Sequence, residues 1–553
     1  MEDTIAQVPQ SSRHFGHPAA PLPLRIGLFA PPLVEPFQPS LSLPYLAAQL
    51  RTNGLSPVCH NLSSLFYIWL FRRVRMESMD RYRVLSDAIA VLRDSERFFD
   101  SVLYHDSLET LEEFVLSVAE RDGLPYTLYP ESRPSAIVAS ADYRALVRAM
   151  EGTLLERFLQ DYIGFTLRLE LYDVIAFSAT NSFQLASSLF IAKALKRAGV
   201  RAHLVLGGHA VSLAGPALVE DKELSGCIDS IVLQGGADVF SRVCRDVTTL
   251  RARPVYSSHD IQIGFDDKGF LTDKPYELVL QQDIEDLYLS PGQVFSIYSA
   301  LGCSYGACTF CGSNRENADY VPRQISVMLD EMQSLKQRYG IDRFNICDNN
   351  FDPVRAKYFC DELELRQENV FWQCTSRVYN TLDPPLLRRM RKNGCVLMNV
   401  GLESANDRIL RLMRKGYTVD DAEQMMRHMQ KAGMRVHTYV ICGFPSETEA
   451  ESENTLGFLK NNIQCCHSVY FQDYEAQLAT KVFADALGTT TQGYPATRLI
   501  ELLWEDPSIR RDFEANGNLL RRRGYPFIED HNFLYLVHED GSHEEAADEN
   551  RQI

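Results

Sequence analysis

Gly302-Cys303-Ser304-Tyr305-Gly306-Ala307-Cys308-Thr309-Phe310-Cys311-Gly312 sets three cysteines in the spacing C-x4-C-x2-C. No fourth cysteine stands nearby to close a four-thiolate site. Thiolates are soft ligands that suit zinc and iron–sulfur clusters. Three of them can hold three irons of a 4Fe–4S cluster and leave the fourth iron open to a substrate. A zinc site completed by a distant His or Cys is the competing use. The chain on either side decides between them.

Downstream of the cysteines, strand-like runs recur at 343–347, 370–375, 396–401, 435–441 and 468–472, after a first run at 294–301. Helical patterns separate them at 324–339, 384–392, 407–414 and 420–431. This alternation predicts a partial (β/α)6 barrel over 291–479, whose active-site groups sit at the carboxyl ends of the strands. The cysteines follow the first strand, at that face. A small α-rich C-terminal domain is expected at 480–538, holding Asp530-His531-Asn532-Phe533-Leu534-Tyr535-Leu536, and a disordered acidic tail at 539–553.

Upstream, buried strands alternate with helices in the manner of a doubly wound, Rossmann-like α/β domain over 24–250. Strands are read at 24–30, before Pro31-Pro32, and at 172–178, 202–206 and 230–233. Ser178, Thr180, Gly207-Gly208-His209 and Gly235-Gly236 fall at strand ends, where ligands of such sheets bind. Residues 64–168 read as a helical insertion, a packing or lid element or one that touches substrate. Residues 251–290 read as a linker, and the Pro-rich 1–23 as disordered.

The chain has 553 residues, 45% apolar and 23% charged, room for several cores. A net charge of −17 offers no overall basic field, so nucleic acid is an unfavoured partner. No apolar run reaches transmembrane length, and the opening residues do not resemble a secretory signal. The apolar stretch 64–71 is short, ends at Arg72-Arg73, and reads as a buried helix. Thirteen cysteines without an export signal suggest a reducing, cytoplasmic setting. Cys347, Cys360, Cys374, Cys395 and Cys442 stand singly in apolar patterns and read as small buried hydrophobes. The adjacent pair Cys465-Cys466 reads as structural.

Further motifs complete the picture. Gly401-Leu402-Glu403-Ser404 ends the fourth barrel strand, Met413-Arg414-Lys415-Gly416 follows, and Ile441-Cys442-Gly443-Phe444-Pro445-Ser446-Glu447-Thr448 comes after the fifth. With the cysteines and the Gly-rich strand ends, the chain resembles the radical S-adenosylmethionine (SAM) enzymes of the class with an amino-terminal cobalamin-binding domain. The resemblance covers about 24–60 and 170–475. It departs from the family in two places. One extra residue separates the first two cysteines, and Gly235-Gly236-Ala237-Asp238 stands where members often carry Gly-Glu-Gly-Glu.

The resemblance implies three cofactors: a 4Fe–4S cluster on Cys303, Cys308 and Cys311, SAM at its open iron, and cobalamin in the upstream domain. It implies that Phe310 lies near the adenine, Glu403 binds ribose hydroxyls, and the Gly443-Phe444-Pro445 turn passes under the base. For Glu403 a surface salt bridge is the competing reading, and for Phe310 simple packing. Asp348, Asn349 and Ser376, beside Asn350 and Arg377, end strands at the same face and would hold SAM or substrate. Ser178, Thr180, Gly207, Gly208, His209, Gly235 and Gly236 would line the cobalamin tail. No Asp-x-His-x-x-Gly follows the first strand, so cobalamin would bind without a histidine ligand. No residue is singled out as a catalytic acid or base.

The implied function is methyl transfer to an unactivated carbon, or phosphorus, of a specialised metabolite or peptide. An electron donor such as flavodoxin or ferredoxin would supply reducing equivalents. The alternatives are cobalamin-dependent rearrangement, cyclisation or oxidation and, more distantly, an RNA methylthiotransferase or a non-enzymatic cobalamin sensor.

Overall fold

The computed structural model describes residues 24–37, 41–94, 96–128, 140–165, 172–233, 236–257, 278, 288–290, 294–311, 320–466, 468–474 and 491–507. The expectations for 1–23, for 539–553, for Gly235, and for most of 251–290 and 480–538 fall outside the described residues.

Six strands form the first sheet: Ile26–Ala30 (β1), Pro57–Asn61 (β2), Val174–Ser178 (β3), His203–Gly207 (β4), Ser230–Val232 (β5) and Val255–Tyr256 (β6). All neighbours are parallel, in the order β2-β1-β3-β4-β5-β6. The inner strands are apolar on both faces because both faces are covered. Ile26, Leu28, Ala30, Val174 and Ala176 pack with helices Ser42–Thr52 and Gly236–Thr248. Phe29, Ile175, Phe177, Leu204 and Leu206 pack on the other face with Ser182–Arg197 and the inserted helices. This is the doubly wound arrangement expected. Two strands escaped the sequence reading: β2, whose Pro, His and Asn give it weak strand character, and the two-residue β6.

The insertion consists of helices Leu62–Arg73, Met79–Arg93, Ser101–Asp122, Ser140–Ala149 and Leu154–Phe165. The apolar run at its start is the first of these helices. It buries Phe66, Tyr67, Leu70 and Phe71 against the sheet, each contributing about 2 kcal/mol. Among the described residues no helix is long and apolar enough to cross a membrane.

The second sheet is parallel too: Val294–Ile297 (β7), Arg343–Ile346 (β10), Phe371–Ser376 (β11), Cys395–Glu403 (β12), Arg435–Cys442 (β13) and Ser468–Asp473 (β14). Its strands follow one another in sequence order and the sheet stays open between β14 and β7, a partial barrel. The first run, read as one strand over 294–301, is broken. Beyond β7 the chain forms Ala300–Leu301 (β8), antiparallel to Val321–Pro322 (β9), and this ribbon brackets the cysteine loop. Helix Ala496–Trp504 lays Leu499 and Leu503 into the barrel core, so this described part of the expected C-terminal domain belongs to the barrel.

Candidate active site

Gly302 (φ 76°) and Gly306 (φ 59°) adopt left-handed backbone on either side of Cys303, a conformation that favours glycine. All three cysteines are half-buried and free of disulfides. Their loop is tied to the turn after helix Asp407–Leu412. The amide of Thr309 donates to Met413 O at 3.1 Å and its hydroxyl to Leu412 O at 2.9 Å. Tyr305 donates its hydroxyl to Arg414 O at 2.6 Å. Burial pushes the Cys308 thiol up, and the nearby Lys415 ammonium opposes the shift. Among the described residues, no three His, Cys, Asp or Glu side chains converge on one point as a single-ion zinc site requires. Cys303 and Cys311 both act on the charge of Cys308, and three soft thiol donors on one loop suit a cluster by the chemistry of the donor set.

Lys415 and Glu403 form an ion pair at 2.9 Å, with side chains only 6% and 12% exposed. The salt bridge that competed for Glu403 therefore exists, but it is buried. Burial works against the Lys415 charge, yet Glu403 and the neighbouring Tyr417 and Cys308 groups outweigh it and keep the ammonium firmly protonated. Glu403 sits at φ 62° beside a register shift in β12, the kind of local strain that collects at functional sites. Gly401 leaves room for the pair: a Cβ there would lie 2.6 Å from Glu403 Oε1 and 3.2 Å from Lys415 Nζ, so the two side chains would have to shift. Phe310 packs beside Phe444, Met413 and Ile409 in a small apolar cluster next to this pair. An apolar shelf beside a buried ion pair suits a base attached to a ribose.

After β13, the amides of Gly443 and Phe444 donate to Glu447 Oε2 at 2.7 and 3.2 Å. Burial raises the Glu447 carboxyl to about 7, against the opposing pull of those amides.

Asp348 departs from its expected use. Its carboxylate is 2% exposed and accepts from the Ser299 amide (2.7 Å), the Ala300 amide (3.0 Å) and the Ser299 hydroxyl. It therefore shapes the chain entering the cysteine loop and is the physical reason the 294–301 run breaks. Asn349 is exposed. Its neighbour Asn350 is the residue that reaches the loop, donating to Ser304 Oγ at 2.8 Å and Tyr379 Oη at 2.6 Å. Ser376 is buried, with its hydroxyl on Arg377 O. On the inward face of the barrel strands the uncharged polar Asn345, Gln373, Thr375 and Asn399 alternate with outward Phe344, Trp372, Cys374 and Met398, while Arg343, Arg435 and His437 share that face by the same alternation. Gln373 is 6% exposed, and its Oε1 has no hydrogen-bond partner.

In the first sheet, Ser178 and Gly207 are register partners at the carboxyl ends of β3 and β4, and Gly236 begins the helix that follows β5. Thr180 is held by Gln184, which accepts from its amide and hydroxyl. Gly208 (φ 114°) has a reason other than cofactor approach: a Cβ there would lie 2.2 Å from Ala179 O. It lets the loops after β3 and β4 touch each other. Gly236 (φ 52°) is exposed, and a Cβ there would meet no atom of the described residues within 4 Å. His209 is exposed at a helix start. His60 stacks on Phe29 at 4.6 Å and bonds Tyr172 Oη at 2.7 Å. Burial lowers its pKa to about 4, and it serves as core.

Residues 297–459 match the radical SAM superfamily. The barrel is a radical SAM domain. Such a domain implies a 4Fe–4S cluster and SAM, and Cys303, Cys308 and Cys311 stand within the matched residues as free thiols. An uncharacterized methyltransferase of Pyrococcus horikoshii is 24% identical over 303 residues, covering 52% of this chain and 64% of that protein. The bacteriochlorophyllide d C-12(1)-methyltransferase of Chlorobaculum tepidum is 26% identical over 353 residues, covering 60% and 72%. The first of these relatives is thus spanned over less than two thirds of its length. Beyond the radical SAM domain, the fold is that of TsrM from Kitasatospora setae, a radical SAM methyltransferase solved with cobalamin and a [4Fe–4S] cluster bound. The TM-score is 0.52 at 14% identity, over 84% of this chain and 74% of that one.

Sequence reasoning passed over Tyr305, Lys415, Tyr417 and Glu447 as individual site residues. Lys415 and Glu447 were visible inside quoted motifs. Tyr305 was visible as part of the lengthened cysteine spacing.

Proposed function

We propose that the protein is a cobalamin-dependent radical SAM methyltransferase acting on an unactivated carbon, or phosphorus, of a small molecule or peptide. The observation that carries this reading is the pairing of two units in one chain. A radical SAM barrel with a three-thiol loop follows a doubly wound sheet that has Ser178, Gly207 and Gly236 at its carboxyl edge. The cofactors together supply reductive cleavage of SAM and a transferable methyl group, chemistry for carbon that offers no nucleophile. The chain's own residues bind and orient. Cys303, Cys308 and Cys311 hold the cluster, Phe310 and Phe444 shelve the adenosine, and the Lys415–Glu403 pair fixes charge beside it. The inner face around Gln373 and Asn399 offers hydrogen bonds to a polar substrate and excludes water from the reacting atoms. Expected partners are such a substrate and a flavodoxin- or ferredoxin-type electron donor.

The test is anaerobic reconstitution with iron, sulfide and hydroxocobalamin, followed by turnover of candidate substrates with methyl-labelled SAM. Each methylated product should carry the label and appear with one S-adenosylhomocysteine and one 5′-deoxyadenosine. Product of unchanged carbon count, formed with 5′-deoxyadenosine alone, would replace methylation by rearrangement or oxidation.

A further inference from the structure

The lengthened spacing between Cys303 and Cys308 has a counterpart elsewhere in the fold. Tyr305 lies inside that spacing, and its ring is covered by the Arg377 guanidinium, with Cζ 3.7 Å from the centroid. Arg377 comes from the end of β11. It is also flanked by Tyr379 at 4.7 Å and Tyr417 at 5.7 Å, and its Nη2 donates to Lys415 O. Its amide donates to Asn350 Oδ1 at 3.2 Å, and Asn350 in turn holds Ser304. Tyr305 Oη meets Arg414 O at 2.6 Å. The stack closes over Gly416 (φ 70°), where a Cβ would lie 2.6 Å from Tyr305 Oη and 3.2 Å from Arg377 Nη2.

We propose that Tyr305, Arg377 and Gly416 form a latch that fixes the path of the cysteine loop before a cluster is present. The extra residue between the first two cysteines widens the loop's conformational freedom. The planar guanidinium on the tyrosine ring removes that freedom by tying the loop to β11 and to the Arg414-Lys415-Gly416 turn. Arg377 and Tyr305 are positioning residues, acting on the cluster through the placement of Cys303 and Cys308. The cluster half of this inference rests on the proposed function; the loop half does not.

Hydrogen exchange on the full-length, cluster-free protein tests the loop half. In wild type, amides of 303–311, Thr309 included, should be protected. Tyr305→Ala, Arg377→Ala and Gly416→Ala should each raise their exchange roughly tenfold or more, with the strands β10 to β14 unchanged. Gly416→Ala meets only the ends of flexible side chains, so the latch yields before the barrel does. Tyr305 is on the loop itself, so its truncation leaves the barrel core intact. Tyr305→Phe keeps the ring stack and should stay near wild type, whereas Arg377→Lys keeps charge without the plane and should behave like Arg377→Ala. Exchange in Tyr305→Ala equal to wild type would overturn the latch. For the cluster half, the same variants after anaerobic reconstitution should hold less iron and show shifted paramagnetic resonance g values of the reduced cluster. Equal iron with identical g values would overturn the positioning role. Absence of iron from wild type would instead sink the cluster reading, with the exchange result still deciding the latch.

Discussion

Glu447 shows how one side chain can set a pH response. Its carboxyl is 3% exposed and titrates near 7, well above its ordinary 4.5, because burial disfavours the charge. Above the unfolded value the folded state retains a proton that the unfolded chain has lost. Stability from this group is therefore full below about pH 4.5 and is lost as pH rises through 7. The shift of about 2.5 units corresponds to roughly 3 kcal/mol. Glu447→Gln keeps an acceptor for the Gly443 and Phe444 amides and removes the titration. Its melting temperature relative to wild type should rise from about pH 4.5 to pH 7 and level off above that. A difference independent of pH would show that Glu447 does not titrate in this range. Asp348, raised to about 6 by burial, stays in both proteins and cancels from the comparison.

At the scale of elements, the two glycines at strand ends do different work. The loops after β3 and β4 meet through Ala179 N to Gly207 O at 2.8 Å and Ala210 N to Ala179 O at 3.1 Å. Gly208→Ala drives a Cβ into backbone rather than into a movable side chain. It should cost about 3 kcal/mol or more and separate the loops. Gly236→Ala meets no atom within 4 Å and costs only the left-handed backbone penalty, about 1–2 kcal/mol. Thermal melts with and without hydroxocobalamin check both. Gly208→Ala should lower the melting temperature of the cofactor-free protein about twice as much as Gly236→Ala, or more. Equal losses would mean that the loop-to-loop contact carries no weight.

Across the whole molecule, the two units are joined by buried polar contacts. Tyr45, on the helix flanking β1, donates to Glu331 at 3.2 Å on helix Ile325–Tyr339. Glu331 pairs with Arg323, and their side chains are 0% and 1% exposed. Arg355 bonds Arg323 O at 2.9 Å and Ser299 O at 2.6 Å, and Ser299 is held by Asp348 at the entrance to the cysteine loop. A continuous set of bonds thus runs from the first sheet's helix to the cluster loop. Arg323→Met strips Glu331 of its guanidinium and should destabilise the protein by about 3–5 kcal/mol. Hydrogen exchange should rise both in the helix Ser42–Thr52 and in the loop 299–303. A change confined to one unit would show that the contact does not couple them.

The strand and helix series, the cysteine spacing and the Gly-rich strand ends were legible from sequence, because each is a local pattern of period two, period 3.6 or fixed offset. The apolar run 64–71 was legible as core for the same reason, its length and its terminal arginines being local facts. What the tertiary structure alone decided are relations between distant residues. Arg377 covers Tyr305, Asp348 takes the Ser299 amide rather than a ligand, and Gly208 answers to Ala179. Glu403 is buried by Lys415, and β2 is a strand only because it pairs with β1. Side chains at a barrel rim are brought together by parallel crossovers, so partners stand tens of residues apart. Nothing in the neighbouring sequence records which of them meet, and that choice determines which polar groups remain for a ligand.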